Sequence, residues 1–175
     1  MKSARDELVT EALTFVDDGT IPNHPRWPAL IHRGAFAPRG EDGVVTAEAL
    51  FGANGWGGFW RGGVYAYDHY HSATAEALAV VSGWADLRLG GEAGQIVRVE
   101  AGDVAVLPPG VGHRREAASE DFAVVGAYPP DQPYDEISDP HQRTEAQARV
   151  TAAPRPATGP VFGADGGLRA LWPAD

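Results

Sequence analysis

Between residues 64 and 128 the sequence is a series of short runs, mostly rich in valine, alanine and aromatic residues, interrupted by turn residues. Each run has five to eight residues, and glycine, proline or a short polar group separates it from the next. Strands of this length with such short connections pair as antiparallel hairpins, and their repetition predicts an all-β sandwich or barrel. The predicted strands are VYAYDHYH, EALAVVS, WADLRL, QIVRV, DVAVL, HRREA and FAVVGAY.

The chain before these strands, residues 1–62, predicts a helical and irregular segment that packs on the barrel. An apolar stripe at helical spacing follows Ser3 and predicts an N-terminal helix that ends before Gly19. The run VVTAEALF, residues 44–51, predicts a second short helix. The proline-rich sequence IPNHPRWPAL between the two helices predicts an extended loop.

The chain after the strands, residues 129–175, predicts a helix followed by a strap. Asp139 followed by Pro140 is typical of a helix start. The proline- and glycine-rich sequence beyond that helix predicts a strap along the barrel or a partly ordered tail. Because 175 residues suffice for one well-buried domain, we expect a single domain with its barrel at 63–128 and short helices near both ends.

The composition excludes several classes of function. The chain has 24 acidic and 14 basic residues, a net charge of −10 and no basic cluster, which argues against nucleic acid and anionic membranes as partners. It has no cysteine, so disulfides, thiolate metal ligands and a cysteine nucleophile are excluded. No apolar run is long enough to cross a membrane, and the charged start MKSARDELVTEAL is unlike a signal peptide, which favours a cytoplasmic location.

The stretch HYHSATAE, residues 69–76, contains a candidate metal site. Side chains at positions i and i+2 share one face of a strand, so His69 and His71 point the same way with Cα atoms about 6.5 Å apart. Both rings can then reach one ion. A turn through SATA reverses the chain, and Glu76 begins the next strand on the inward face, where it supplies a third ligand.

A fourth candidate ligand, His113, follows the sequence GDVAVLPPGVG. Pro109 and Gly110 suit the central positions of a type II turn, after which His113 opens another strand. His113 lies 37 residues after Glu76, so it meets the other ligands only if the sheet curls back on itself. A small barrel does this.

These residues form two spaced patterns. The first reads G-x5-H-x-H-x4-E-x6-G over residues 63–83, and the second reads G-x5-P-x-G-x2-H over residues 102–113. In order and spacing they resemble the two sequence motifs of the cupin superfamily. The second motif usually ends in an asparagine that is not a metal ligand, and Ala117 stands at that position here.

The segments DDGTIPNHP, NGWGGFWRGG, VLPPGVGH and VVGAYPP extend the likeness over most of the chain and resemble the YjlB-type bacterial single-domain cupins. This resemblance implies a double-stranded β-helix, the RmlC-like jelly-roll barrel, but no particular reaction. It also implies a homodimer that pairs through sheet edges, with WADLRL or the N-terminal region as candidate surfaces. The implied ligands of one divalent metal ion are His69, His71, Glu76 and His113.

Four further residues are candidates for a substrate pocket beside the ion. Tyr65 and Tyr67 share the face of the histidines and either line the pocket or fill the barrel as core aromatics, the interpretation we favour. Trp60, with its aromatic neighbours and Arg61, forms a lid over the mouth, a hydrophobic plug or a dimer contact. Arg115 either binds a substrate carboxylate or, as we favour, makes a surface salt bridge with an acidic neighbour.

Other polar residues of the chain are not assigned to the site. The histidines without partners in sequence are predicted to lie at the surface or in loops; they are His24, His32 and His141. Asp86, Arg88 and Arg98 alternate with apolar residues, so they are predicted to lie on the solvent face of their strands.

Three imidazoles and one carboxylate leave about two positions open on a six-coordinate ion, where substrate, water or O2 can bind. With Fe(II), our first choice, such a site favours a dioxygenase-like oxidoreductase. With Mn, Ni or Zn it favours an isomerase or lyase, and these donors do not discriminate among the metals or against Cu. We therefore predict a metal-dependent enzyme acting on a small acidic or hydroxylated molecule. The alternatives are a non-catalytic binding or sensor module and a structural or storage protein.

Overall fold

Nine strands form two antiparallel sheets in the computed structural model of this chain, which describes residues 8–38 and 42–174. The strands are β1 (Thr10–Leu13), β2 (Ala29–His32), β3 (Gly57–Gly62), β4 (Glu76–Ser82), β5 (Trp84–Leu89), β6 (Gln95–Glu100), β7 (Val104–Leu107), β8 (His113–Ala118) and β9 (Ala123–Tyr128). The larger sheet has the order β1-β2-β7-β4-β9-β3, and the smaller has the order β6-β5-β8.

The two sheets enclose a hydrophobic core. Leu78 and Val80 of β4 and Leu87 and Leu89 of β5 are at most 2% exposed and belong to this core. In each strand they alternate with residues on the opposite face of the sheet. The all-β jelly-roll prediction is confirmed, and the strands predicted between residues 76 and 128 form within one or two residues of their expected ends.

The larger sheet is also covered on its second face, by helix α1 (Asp42–Ala53) and the C-terminal segment. Ala77 and Ala79 of β4 point to this side and belong to a second core with Phe51 of α1. Both faces of β4 are therefore buried, which explains why its sequence has no alternating polar residues. The helix predicted at 44–51 is confirmed as part of α1.

Two helices follow the strands, α2 (Arg143–Ala152) and α3 (Gly167–Leu171). A 3-10 turn at Pro140–Gln142 precedes α2, and the Asp139 carboxylate accepts a hydrogen bond of 2.9 Å from the His141 N–H. This is the capping arrangement expected where Asp precedes Pro at a helix start. The α3 helix was not predicted.

Trp172, immediately after α3, anchors the C-terminal strap. Its side chain is fully buried, and its indole stacks on Trp27 with ring centroids 5.0 Å apart. The Trp172 Nε1–H donates a 2.8 Å hydrogen bond to the carbonyl of Pro28. The segment is therefore a strap that completes the second core, and the alternative of a partly ordered tail does not apply to it.

The predicted N-terminal helix is wrong over the described residues, and its first residues, including Ser3, lie outside them. Thr10–Leu13 is instead strand β1, which pairs antiparallel with β2. Val9 and Val16, which the helical stripe would bury, are 61% and 80% exposed. The open edge of β2 supplies backbone partners for this segment, and tertiary pairing of this kind overrides weak local helix propensity.

The predicted start of the barrel at residue 63 is too late. Strand β3, in the glycine-rich segment read as irregular, pairs with β9, and β2 pairs with β7 in the same sheet. The predicted strand at 64–71 is not continuous, since only isolated bridges form there, from His69 to His113 and from Tyr70 to Ile137. Strand β3 was not predicted because its glycines carry no side chains, so its sequence does not show the alternation typical of a strand.

The order of the strands excludes one of the two segments predicted to pair in a homodimer. Strand β5, the WADLRL segment, lies between β6 and β8 and so has no edge open for a second copy of the chain. Strand β1 of the N-terminal region is an edge strand of the larger sheet. None of the helices in the described part of the chain has the length and apolar character needed to cross a membrane.

Two histidines predicted to lie at the surface or in loops are buried. His32 is 1% exposed in β2, where its Nδ1 lies 2.8 Å from the Thr10 hydroxyl. His24 is 7% exposed, stacks on Trp27 and accepts a hydrogen bond from the Trp27 N–H. Their neighbours are set by strand pairing and by the fold of the proline-rich loop, which the local sequence does not show. His141 is exposed, as predicted.

The burial of His32 predicts acid sensitivity of the fold. Burial lowers the pKa of His32 from 6.5 to about 4, so between these values the unfolded chain binds a proton that the folded chain does not. The contribution of His32 to stability is therefore present above pH 6.5 and is lost as the pH falls towards 4. We expect the loss to reach about 2 kcal/mol near pH 5.

Urea unfolding of the wild type and His32→Gln at about pH 7.5 and about pH 5 measures this loss. Other titrating groups contribute to both proteins and cancel in the comparison. The variant should lose less unfolding free energy on acidification than the wild type. Equal losses in the two proteins would show that His32 does not carry the effect.

Candidate metal centre

Four side chains from three parts of the chain converge at one end of the barrel. His69, His71 and His113 each direct one ring nitrogen to a common point, with these atoms all within 4.8 Å of one another. Glu76 joins them, with Oε2 3.0 Å from Nε2 of His71 and Oε1 3.3 Å from Nε2 of His113. All four residues are at most 5% exposed, so the cluster is shielded from bulk water.

The backbone positions these side chains through short connections. His69 and His113 form an isolated antiparallel bridge with N···O distances of 3.3 and 2.9 Å. The Gly110 N–H donates to the carbonyl of His71 at 2.8 Å, which ties the Pro-Pro-Gly turn to the histidine segment. Gly110 has φ +88°, and a Cβ there would lie 2.8 Å from the carbonyl oxygen of Asn23, so this position requires glycine.

Hydrogen bonds at Nδ1 orient all three rings. A carbonyl oxygen can only accept, so in the neutral form of each ring the Nδ1 that contacts one carries the proton and the Nε2 keeps its lone pair for the centre of the cluster. This is the arrangement in which histidine binds a metal through Nε2. The Nδ1 atoms of His69, His71 and His113 contact the carbonyls of Tyr67 (3.1 Å), Asp135 (2.6 Å) and Val111 (3.1 Å), respectively.

The centre fits a divalent cation. Within the described part of the chain, Nε2 of His71 and Nε2 of His113 are buried without a hydrogen-bond partner, although both lie close to the oxygens of Glu76. Lone pairs of a neutral imidazole and of a carboxylate repel one another, and a cation placed between them turns that repulsion into attraction. Three imidazole nitrogens and a carboxylate oxygen form a donor set used for Fe, Mn, Ni, Zn and Cu.

At pH 7 His69 and Glu76 are in the protonation states in which these side chains bind a metal. Burial and the neighbouring His113 lower the pKa of His69 to about 3, so this ring is neutral at pH 7. Burial alone would raise the pKa of Glu76, but His71 and His113 outweigh it and lower the pKa, so Glu76 is a carboxylate. Burial lowers the pKa of His71, yet Glu76 raises it overall, so a cation displaces a proton there.

A tyrosine not identified from the sequence holds the carboxylate ligand. The Tyr128 hydroxyl donates to Oε2 of Glu76 at 2.8 Å and accepts from the Trp60 Nε1–H at 2.9 Å. Burial and the charge of Glu76 raise the pKa of Tyr128, which keeps it a donor. The Trp60 indole occupies the space above Gly126, where a Cβ would overlap it.

The segment after β9 holds His71 from the other side, and the sequence did not indicate this either. Besides accepting from His71, Asp135 accepts a 2.6 Å hydrogen bond from the Ser72 N–H and one from the Ser72 hydroxyl. The Arg149 guanidinium of α2 lies 3.4 Å from the Asp135 carboxylate. Helix α2 is therefore connected to the candidate ligand His71 through Asp135, which contacts Arg149 on one side and His71 on the other.

A cavity of about 520 Å³ lies directly over the four donors. Trp60 and Tyr65, two of the predicted pocket residues, line it, together with Tyr128, Tyr134 and Glu136. Tyr65 is 52% exposed at the cavity mouth, so the favoured interpretation as a core aromatic is wrong. All four donors are among the lining residues, so an ion held by them would be accessible from the cavity.

Two predicted pocket residues lie outside this cavity. Tyr67 is 49% exposed and stacks on the outer side of Tyr65, with ring centroids 4.9 Å apart, so it is neither core nor lining. Arg115 is exposed and meets the site only through its backbone N–H, which donates to the carbonyl of Tyr65. Its predicted salt bridge does not form with any residue the structure describes, whereas the adjacent Arg114 pairs with Asp68.

The sequence of this chain is similar to those of known proteins. The sequence profile of the family described as Cupin domain matches residues 58–126. The chain is 38% identical over 167 residues to "Uncharacterized protein YjlB" of Bacillus subtilis (strain 168), covering 95% of this chain and 98% of that protein.

Two solved structures illustrate the likeness. An uncharacterized conserved protein with a double-stranded β-helix domain from Klebsiella pneumoniae is 14% identical, with 79% of this chain and 86% of that chain covered and a TM-score of 0.35. Acireductone dioxygenase from Bacillus anthracis, with cadmium in its active centre, is 18% identical, with 47% and 55% covered and a TM-score of 0.34. On the family profile and the Bacillus relative, this chain belongs to the cupin family.

Proposed function

We propose that this protein is a metal-dependent enzyme, a dioxygenase-like oxidoreductase that acts on a small molecule chelated at the centre formed by His69, His71, Glu76 and His113. One observation carries the proposal. All four donors line the cavity of about 520 Å³, so an ion held by them would be open to that cavity. A purely structural metal site is closed by its protein ligands, whereas a catalytic site keeps positions open.

The residues around the centre suit this role. When bound, Fe(II) would supply the capacity to activate dioxygen and to polarise a chelated oxygen atom. Tyr128 holds the Glu76 carboxylate, so this ligand would meet a bound ion in one orientation. The apolar side chains Val64 and Leu78 in the cavity wall restrict bulk water around a bound molecule.

Oxygen uptake tests the proposal. Protein loaded anaerobically with Fe(II) is mixed with air-saturated buffer and a panel of thiols, diketones and catechols, and dissolved oxygen is followed with an electrode. We expect at least one compound to drive uptake about ten-fold or more above the same protein loaded with Zn(II), which lacks redox chemistry. His113→Ala should remove the uptake, and His141→Ala, at an exposed histidine away from the centre, should retain it.

Tight metal retention without oxygen uptake on any compound would overturn the oxidoreductase assignment. Melting temperatures raised by members of the panel would then favour the binding module.

A further inference from the structure

We infer that the molecule held at this centre is planar and unsaturated, most simply aromatic, with one pair of chelating oxygens and no further carboxylate. The inference rests on the proposed function, because it takes the cavity above the four donors as the place where the molecule binds. It narrows the sequence-based expectation of an acidic or hydroxylated molecule. Three features of the cavity support it.

The first feature is the aromatic wall. The indole of Trp60 and the rings of Tyr65, Tyr128 and Tyr134 all line the cavity. Tyr134 packs edge-on against Tyr128, with centroids 5.3 Å apart and planes at 70°, and lies 5.3 Å from the ring of His71. A flat ring placed among such faces gains stacked and edge-to-face contacts that a small aliphatic molecule cannot make.

The second feature is the balance of charge. Arg61 is the one guanidinium among the described residues that line the cavity, and it is already paired with Glu48 at 3.1 Å. Glu136 places a carboxylate in the lining. A divalent ion bound to Glu76 keeps one net positive charge, which a singly charged chelating group neutralises. A second carboxylate on the molecule would meet Glu136 without a free cation to pair with.

The third feature is size. A volume of about 520 Å³ lies within the range of ligand cavities, and it exceeds what two chelating oxygens on a two-carbon frame would occupy. The additional space is bounded by apolar or aromatic side chains, including Val64 and Leu78, which are 6% and 2% exposed. Apolar surface of this kind contributes to affinity only if the molecule covers it.

A matched pair of probes tests the ring preference. Acetohydroxamate and benzohydroxamate carry the same chelating oxygens and differ only in a methyl against a phenyl group. With Zn(II)-loaded protein, which excludes turnover, titration calorimetry should show benzohydroxamate binding about ten-fold or more tightly. Tyr134→Ala should reduce this ratio severalfold. Ile96→Ala, a control at an exposed residue of β6 that does not line the cavity, should leave it unchanged. Both residues are about half exposed, so neither substitution threatens folding.

The effect of a second carboxylate on the bound molecule is tested in the same assay with 4-carboxybenzohydroxamate. It should bind more weakly than benzohydroxamate, and Glu136→Gln should narrow that difference.

Equal affinities of the acetyl and benzoyl probes, or tighter binding of the carboxylated one, would overturn the inference while leaving a metal enzyme in place. Failure to bind Zn(II) would overturn it together with the proposed function. A ring preference without oxygen uptake in the Fe(II) assay would support the inference and remove only the oxidoreductase assignment.

Discussion

His71→Ala should lower the affinity of the protein for a divalent metal by about ten-fold or more. Substituting a residue that only supports a metal ligand already costs about ten-fold, and loss of the ligand itself should cost at least as much. The substitution removes one of four donors and leaves a cavity beside the Glu76 carboxylate, which His71 approaches at 3.0 Å. It also removes the ring that Asp135 orients from the C-terminal segment. Elemental analysis after dialysis against a weak chelator measures the metal retained per chain.

Two further measurements make this result specific. His141→Ala, at an exposed histidine, should retain the wild-type metal content. A ligand that binds only the folded state stabilises it by about 3 kcal/mol at a hundred-fold excess over Kd, so added metal should raise the melting temperature of the wild type more than that of His71→Ala. Unchanged metal stoichiometry in His71→Ala would contradict the assignment of this residue as a ligand.

Trp172→Ala should destabilise the fold by about 3–5 kcal/mol, the usual cost of truncating a fully buried tryptophan. The residue is 0% exposed, stacks on Trp27 and donates its indole N–H to the carbonyl of Pro28. Its removal therefore leaves a cavity in the second core and an unpaired carbonyl beneath the strap. Guanidinium unfolding at neutral pH, followed by circular dichroism, gives the difference in unfolding free energy.

Leu171→Ala is the matched control, since Leu171 precedes Trp172 in the chain and is 38% exposed. Its effect should stay below about 1 kcal/mol, as is usual for residues near the surface. If Trp172→Ala were as mild as this control, the C-terminal strap would not belong to the cooperative fold.

Much of the barrel was predictable because its signals are local. Short runs of strand-forming residues, and the turn residues that separate them, such as Pro109 and Gly110, depend only on neighbours in the chain. These signals located strands β4 to β9 within one or two residues. They did not locate β1, β2 or β3, because two four-residue segments and a glycine-rich segment become strands only when a partner edge is present.

The surroundings of the site were less predictable because they come from distant parts of the chain. Tyr128 is 52 residues from the Glu76 carboxylate it contacts, and Asp135 is 64 residues from His71. No sequence spacing marks either contact. The exposed position of Tyr65 was also missed, because the predicted strand at 64–71 contains only isolated bridges and the alternation rule does not hold along it.

The sequence by itself determined the identity and spacing of the four donor residues and the strand pattern that brings them to one barrel. Only the tertiary structure decided that each Nδ1 contacts a carbonyl so that Nε2 is free for a cation, and that aromatic rings and Glu136 line the cavity. The reason is physical. Periodicity and turn chemistry act between neighbours in the chain, whereas ring orientation and cavity shape arise from contacts that exist only after the sheets close.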